Sequence, residues 1–419
     1  MKIISALLSV LLSASILAQT PLHYEMVLDS GKARVQVQLP VSVSHAPYLY
    51  SPAVEMGLIS QVHNVTCEGK PLLLQKQGVW QVPKTCKKVS WELEFLPGKP
   101  DQIDAARQES LYIEGAKWWL IATPTALLKL DGYKEEAKLT VYGPACAKKM
   151  DAELYKGSLP YDWQAPEFIA IDPCHQHQRK SLIPGLRFIV DNPARFEKLN
   201  LEKRYAPIFT YLTHVTGAHN KLVTSPITII WLGRDASLGA IGGAAGHHSF
   251  VANYLVGTDL NKKEEEAAHT LMVVAHEQFH QLTGLVRHHT TPLPTWINES
   301  LAQYYALKAL RTQAIFTPTT LAKIEKPFLS SPSATLSLLD VEKRYKKERQ
   351  LYSLFYTQGS AFWHQVDQLI QEETGENLDH YLPRLLQTEF IADGGQRETW
   401  NKVFKGLPAT TINRIVHIM

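Results

Sequence analysis

Residues 261–284 read NKKEEEAAHTLMVVAHEQFHQLTG, and no other stretch restricts the fold so closely. Asn261 can cap a helix, with Glu264 three residues on in an approximate capping box. Glu264, Glu265 and Glu266 suit the positive end of a helix dipole. Leu271, Val274, Ala275 and Phe279 recur at helical spacing, and Gly284 is a natural stop. The spacing predicts a helix over 261–283. On it His276 and His280 point within about 40° of each other, one turn apart. That separation lets two imidazoles bind one zinc ion at roughly 2.0–2.1 Å. Glu277 can project to the side of the metal where a water would bind and accept its proton. Two exposed helix histidines would match the same pentapeptide, so a third ligand is required. Glu299 in TWINESLAQYY is the candidate. The intervening residues 281–298 suffice for a helix end, a loop containing TTPLP (290–294) and a return.

HEQFH, eighteen residues and then Glu299 within WINES resembles the gluzincin signature. In particular it is similar to the aminopeptidase N and leukotriene-A4 hydrolase family and to the glycyl aminopeptidases. Trp296, Asn298 and Glu299 match the family stretch, while Ser300 and Leu301 replace its usual Gly and Phe. The resemblance implies one zinc ion held by His276, His280 and Glu299, with Glu277 as general base. Downstream, LFYTQGSAFWHQVDQL (354–369) resembles the family segment whose tyrosine donates a hydrogen bond to the tetrahedral intermediate. Tyr356 is the match and Tyr352 the alternative; Gln358 stands where lysine is usual. A positioned donor at a developing oxyanion lowers the barrier by a few kcal/mol. On an aromatic helix with Phe355, Phe362 and Trp363, Tyr356 can equally be a packing residue.

The family also uses a glycine-rich edge strand that binds extended substrate by strand addition. Its aminopeptidases carry a glutamate there that pairs with the substrate's amino group. The equivalent here is GGAAGHHS (242–249), which places Gly242, Gly243 and Ala244 as substrate-binding positions. The stretch has no acidic residue. Its His247 and His248 are loop residues, substrate contacts or ligands of a second metal.

From about 21 to 150 the texture is short and alternating, as in KARVQVQLPVSV, KKVSWELEFL and EAKLTVYG, and reads as a β-rich domain. LRFIVDN and PITIIWLG read as buried strands, and helices are expected over 296–311 and 351–374. The expected organisation is an α+β multidomain chain. A signal peptide (1–18) precedes a β-rich N-terminal domain (19–150) and a linker (151–185). A thermolysin-like zinc peptidase domain (186–315) and a helical C-terminal region (316–419) follow.

The first twenty residues, MKIISALLSVLLSASILAQT, have the layout of a secretory signal, with a membrane anchor or buried strand as the alternative. The mature chain is then exported, periplasmic or extracellular, without a membrane span. Four cysteines suggest two disulfides, Cys67–Cys86 and Cys146–Cys174 being the simplest of three pairings. Cys174 with His175 and His177 is an alternative metal site. The net charge of +3 on 419 residues is small, and the mixed run DVEKRYKKER reads as a solvated helix face or loop rather than a nucleic-acid patch, so no nucleic-acid partner is expected. The expected activity is hydrolysis of peptide or protein substrates, aminopeptidase-like in form. The alternatives are an endopeptidase of the same fold and a non-catalytic zinc-bearing binding protein. Oligomeric state cannot be read from the chain.

Overall fold

The computed structural model describes residues 21–419 except 40–47, 134–135, 147–150, 160–165, 223–225, 240, 258–261, 288–290, 330–335, 391–394 and 396. The expected signal segment and the Asn261 cap lie outside the described residues.

The N-terminal part is built on a seven-stranded sheet. Its spatial order is Asp151–Leu159, Ala137–Pro144, His23–Asp29, Lys32–Gln38, Lys88–Glu94, Val62–Cys67 and Lys70–Pro71. Alternation produces it: in Lys32–Gln38, Ala33, Val35 and Val37 are buried and their neighbours face outward. Two four-stranded sheets accompany it. The apolar core between them takes in Trp91 and Tyr24. Their polar tips are satisfied: the Trp91 indole donates to the Ala126 carbonyl (3.0 Å) and the Tyr24 hydroxyl to that of Leu128 (2.8 Å). Both disulfides form, Cys67–Cys86 and Cys146–Cys174. Cys174 is thereby unavailable to a metal, and His177 pairs instead with Asp172 at 3.4 Å.

The segment 151–185, expected as a linker, is not one. Asp151–Leu159 pairs antiparallel with Ala137–Pro144 as the outermost strand, and Phe168–Ile171 pairs with Trp118–Ala122. The edge strand buries only Leu159 fully, so its sequence lacks the hydrophobic alternation that marks a covered strand. The β-rich part therefore continues past residue 150.

A five-stranded sheet follows, in the order Gln178–Arg179, Leu186–Val190, Ile227–Asp235, Ser249–Val256 and Gly243–Ala245. Its three longer strands are mutually parallel, and Gly243–Ala245 closes one edge as an antiparallel hairpin arm. A separate apolar cluster joins this sheet to the N-terminal part. Trp118, Leu120 and Phe168 meet Ile230, Leu232, Ala244 and Val251 there.

The motif helix runs Lys263–Val286 and continues through Gly284. Glycine costs about 1 kcal/mol inside a helix, but Val286 and Leu285 pack on the core and offset it. Helices Thr295–Thr312 and Ser353–Thr374 form as expected. The later helices, including Leu378–Leu386 and Ala409–Ile418, bury their apolar faces in the same continuous core as the sheet and motif helix. The boundary drawn at 315/316 is thus not a break in packing. Among the described residues no helix is long and apolar enough to cross a membrane.

Candidate metal centre

Helical periodicity sets the first two groups. The rings of His276 and His280 lie 4.8 Å apart at 80°, with their Nε2 atoms 3.1 Å from each other. Glu299 reaches them from the next helix, its Oε2 atom 3.4 Å from His276 Nε2 and 3.6 Å from His280 Nε2. Two nitrogen ligands at 2.0–2.1 Å on a tetrahedral ion would stand about 3.3 Å apart, so three donor atoms already converge at metal-ligand spacing. Their side chains are 8 %, 13 % and 14 % exposed. Two imidazoles and one carboxylate suit zinc. Nε2 of each ring is the atom directed to the cluster, the His276 Nδ1 being buried without a hydrogen-bond partner among the described residues and the His280 ring also bonding to the Asn298 side chain.

The second helix is held so that Glu299 arrives there. Its first-turn N–H groups at Thr295 and Trp296 donate to the Glu342 carboxylate at 3.1 and 2.8 Å. Trp296 is fully buried and stacks on Trp363 at 6.1 Å. Ser300 accepts a hydrogen bond from the Trp363 indole at 2.7 Å. A Cβ at Gly359 would stand 2.4 Å from that of Ser300, so the helices cross with no room to spare. Ser300 therefore takes up space that Gly359 leaves open. Tyr356, one turn before Gly359, lies with its ring 5.5 Å from that of His276. Tyr352 is hydrogen-bonded to both Tyr356 and Glu299, which places it behind a ligand.

Electrostatics follow from burial. Burial pushes the Glu277 carboxyl up, with Glu299 adding to it and the two histidines opposing, so its net affinity for a proton is raised. A divalent cation at the cluster would lower it again. Burial also raises Glu299, but His280 and His276 outweigh it and hold the carboxyl well below the usual range. Burial, then Glu299, Tyr352 and Glu277, push the Tyr356 phenol far up, so its hydroxyl stays protonated and can donate.

A cavity of 630 Å³ opens over the cluster, lined by His276, Glu277, Tyr356, Gly242 and Gly243 among others. A Cβ at Gly243 would lie 2.7 Å from Glu277 Cγ, so only glycine lets this strand approach the acid so closely. Ala244 lies on this edge strand, as expected. Strand alternation turns its side chain away from the cavity into the cluster with Trp118 and Phe168. Gly243–Ala245 is the last strand of its sheet, so its outer backbone edge has no strand partner among the described residues. Asn253, fully buried, fixes the entry to that strand. Its Oδ1 accepts from Gly242 (3.3 Å) and Ala105 (3.1 Å), and its Nδ2 donates to Ile103 and Leu232.

Several lining residues escaped the sequence reading. Gln303 stands one turn beyond Glu299, is 5 % exposed, and its Nε2 has no hydrogen-bond partner among the described residues. His269 and Met272 precede His276 on one helix face. Helical spacing from the ligands could have found all three. Phe328 comes from the separate helix Pro318–Leu329, and nothing local signals it. Among the described lining residues Glu277 is the only carboxylate.

No family model matches the chain, and no curated protein matches it in sequence. Solved structures do. One is a mutant two-domain M1 zinc metallopeptidase bound to the amino acid L-tryptophan. It shares 12 % identity at a TM-score of 0.50, with 96 % of this chain and 93 % of that one covered. Another is native leukotriene A4 hydrolase from Saccharomyces cerevisiae, at 11 % identity and a TM-score of 0.47. There 88 % of this chain aligns, and it spans 62 % of that enzyme's length. The first likeness shows the fold. This is a multidomain α+β chain of M1 metallopeptidase architecture, with its β-rich part first and its helices last.

Proposed function

We propose that the protein is an exported zinc peptidase that hydrolyses peptide bonds with Glu277 as general base. The observation that carries this reading is the convergence of His276, His280 and Glu299 beneath a cavity that also holds Glu277 and Tyr356. His276, His280 and Glu299 would hold the ion, which when bound supplies Lewis-acid polarisation and water activation at neutral pH. Glu277 takes the proton of the attacking water and returns it to the leaving amine. The Tyr356 hydroxyl donates where negative charge develops on the substrate carbonyl oxygen. The backbone of Gly243 offers its open edge to an extended peptide, with Gly242 tied to Asn253 through both its N–H and its carbonyl, and the Gln303 amide offers a donor to a substrate carbonyl. Two disulfides agree with an oxidising, exported setting.

Beside Glu277 the described lining offers no carboxylate to pair with a free amino group. We therefore infer cleavage that does not depend on a free amino terminus. The full chain is incubated with matched free-amine and N-acetyl peptides, before and after chelation. Metal-dependent cleavage of both sets at similar rates is expected. Cleavage of free-amine peptides alone would make the protein a strict aminopeptidase, and cleavage of neither would end the peptidase reading.

A further inference from the structure

The turn between strands Gly243–Ala245 and Ser249–Val256 carries a second gathering of ligand groups. His247 and His248 bring their Nδ1 atoms to 2.8 Å, with the rings 4.0 Å apart at 87°. Glu167, from the N-terminal part, brings a carboxylate oxygen to the same place. One candidate donor atom from each of the three residues lies within 4.8 Å of the others. The Glu167 Oε2 atom accepts from the His248 N–H at 3.1 Å and Oε1 from the Ser249 hydroxyl at 2.9 Å. Each carboxylate oxygen has a further lone pair to offer.

Two features speak for a cation rather than a simple histidine contact. Glu167 is 8 % exposed, and the partners of its carboxylate are neutral donors, the His248 N–H and the Ser249 hydroxyl. A buried carboxylate is costly without a positive partner. The turn is also held rigidly in this shape. The His247 N–H donates to the Pro166 carbonyl at 2.8 Å, and a Cβ at Gly246 would stand 2.3 Å from that carbonyl. Gln281, next to His280 on the motif helix, donates through Nε2 to the carbonyls of Gly246 and Ser249. Ligands held before the ion arrives lose little freedom on binding it.

We propose that Glu167, His247 and His248 bind a second divalent ion of zinc's class, which ties the turn behind the substrate edge strand to the N-terminal domain. Two imidazoles and a carboxylate are the donor types such an ion prefers. The exposed His247 gives the ion a path from solvent, and a water can complete its coordination. This site is separate from the one formed by His276, His280 and Glu299, and its role is to fix the hairpin.

The test is zinc content of the full chain after equilibration with zinc and removal of excess, with thermal unfolding followed in parallel. Wild type should hold two equivalents. H247A/H248A should hold one, and H276A/H280A should also hold one and unfold at higher temperature when zinc is added. If the catalytic reading alone fails, H247A/H248A holds none while H276A/H280A still holds one. The proposal is overturned if H247A/H248A and wild type bind the same amount. It is equally overturned if folded H276A/H280A binds no zinc. Should H276A/H280A not fold, the difference between wild type and H247A/H248A decides alone.

Discussion

His276 and His280 stand four residues apart on a helix, whereas His247 and His248 are neighbours in a turn. Both pairs nonetheless bring two ring nitrogens close together, at 3.1 and 2.8 Å, beside one carboxylate. Their scaffolds differ in kind. The helical pair is set by the 3.6-residue repeat, and its carboxylate comes from the next helix. The turn pair depends on Glu167, 81 residues away from His248 in chain and carried at the start of a different sheet. A cavity opens over the first pair with an acid and a phenol at hand, and none of the turn residues lines it. Chemistry is therefore expected at one pair and fixation at the other.

Removing a ligand separates the two most strongly. Glu299→Ala should weaken the helical site by more than the roughly 10–100-fold typical of an outer-shell partner. Zinc content should fall from two equivalents to one and peptide cleavage should vanish. A variant that lost both ions would show that the pairs are not independent. Tyr356→Phe acts on the helical pair alone. It should leave both ions bound while lowering kcat about 10²–10³-fold, the effect of losing one oxyanion donor. A change in KM without one in kcat would instead make Tyr356 a binding residue. The smallest effect is expected where the pairs are linked. Gln281→Leu leaves the buried Gly246 carbonyl unsatisfied, at a cost of about 1–3 kcal/mol. Scanning calorimetry should show unfolding a few degrees lower. An unchanged midpoint would mean that the turn is held without Gln281.

The same contrast explains what was legible in the sequence. Alternation in Lys32–Gln38 and the apolar stripe of Lys263–Val286 are local repeats, and they read directly as strand and helix. Glu299 was legible because one loop of limited reach joins its helix to the motif. Asp151–Leu159 was not, since an edge strand buries too little to show its period. The run beyond Gly284 depends on tertiary packing of Leu285 and Val286, which outweighs a local stop signal. Ala244 was legible as part of the edge strand, whereas the burial of its side chain at the domain junction needs the register. Glu167 and Phe328 reach their sites through the fold alone.

The central claim is that Glu277 performs proton transfer at an intact metal centre. Its most direct test is peptide hydrolysis by Glu277→Gln, with zinc measured on the same preparation. Zinc at the wild-type level with turnover reduced about 100-fold or more is predicted, in line with loss of a general base. Near-normal turnover by a zinc-loaded variant would contradict it.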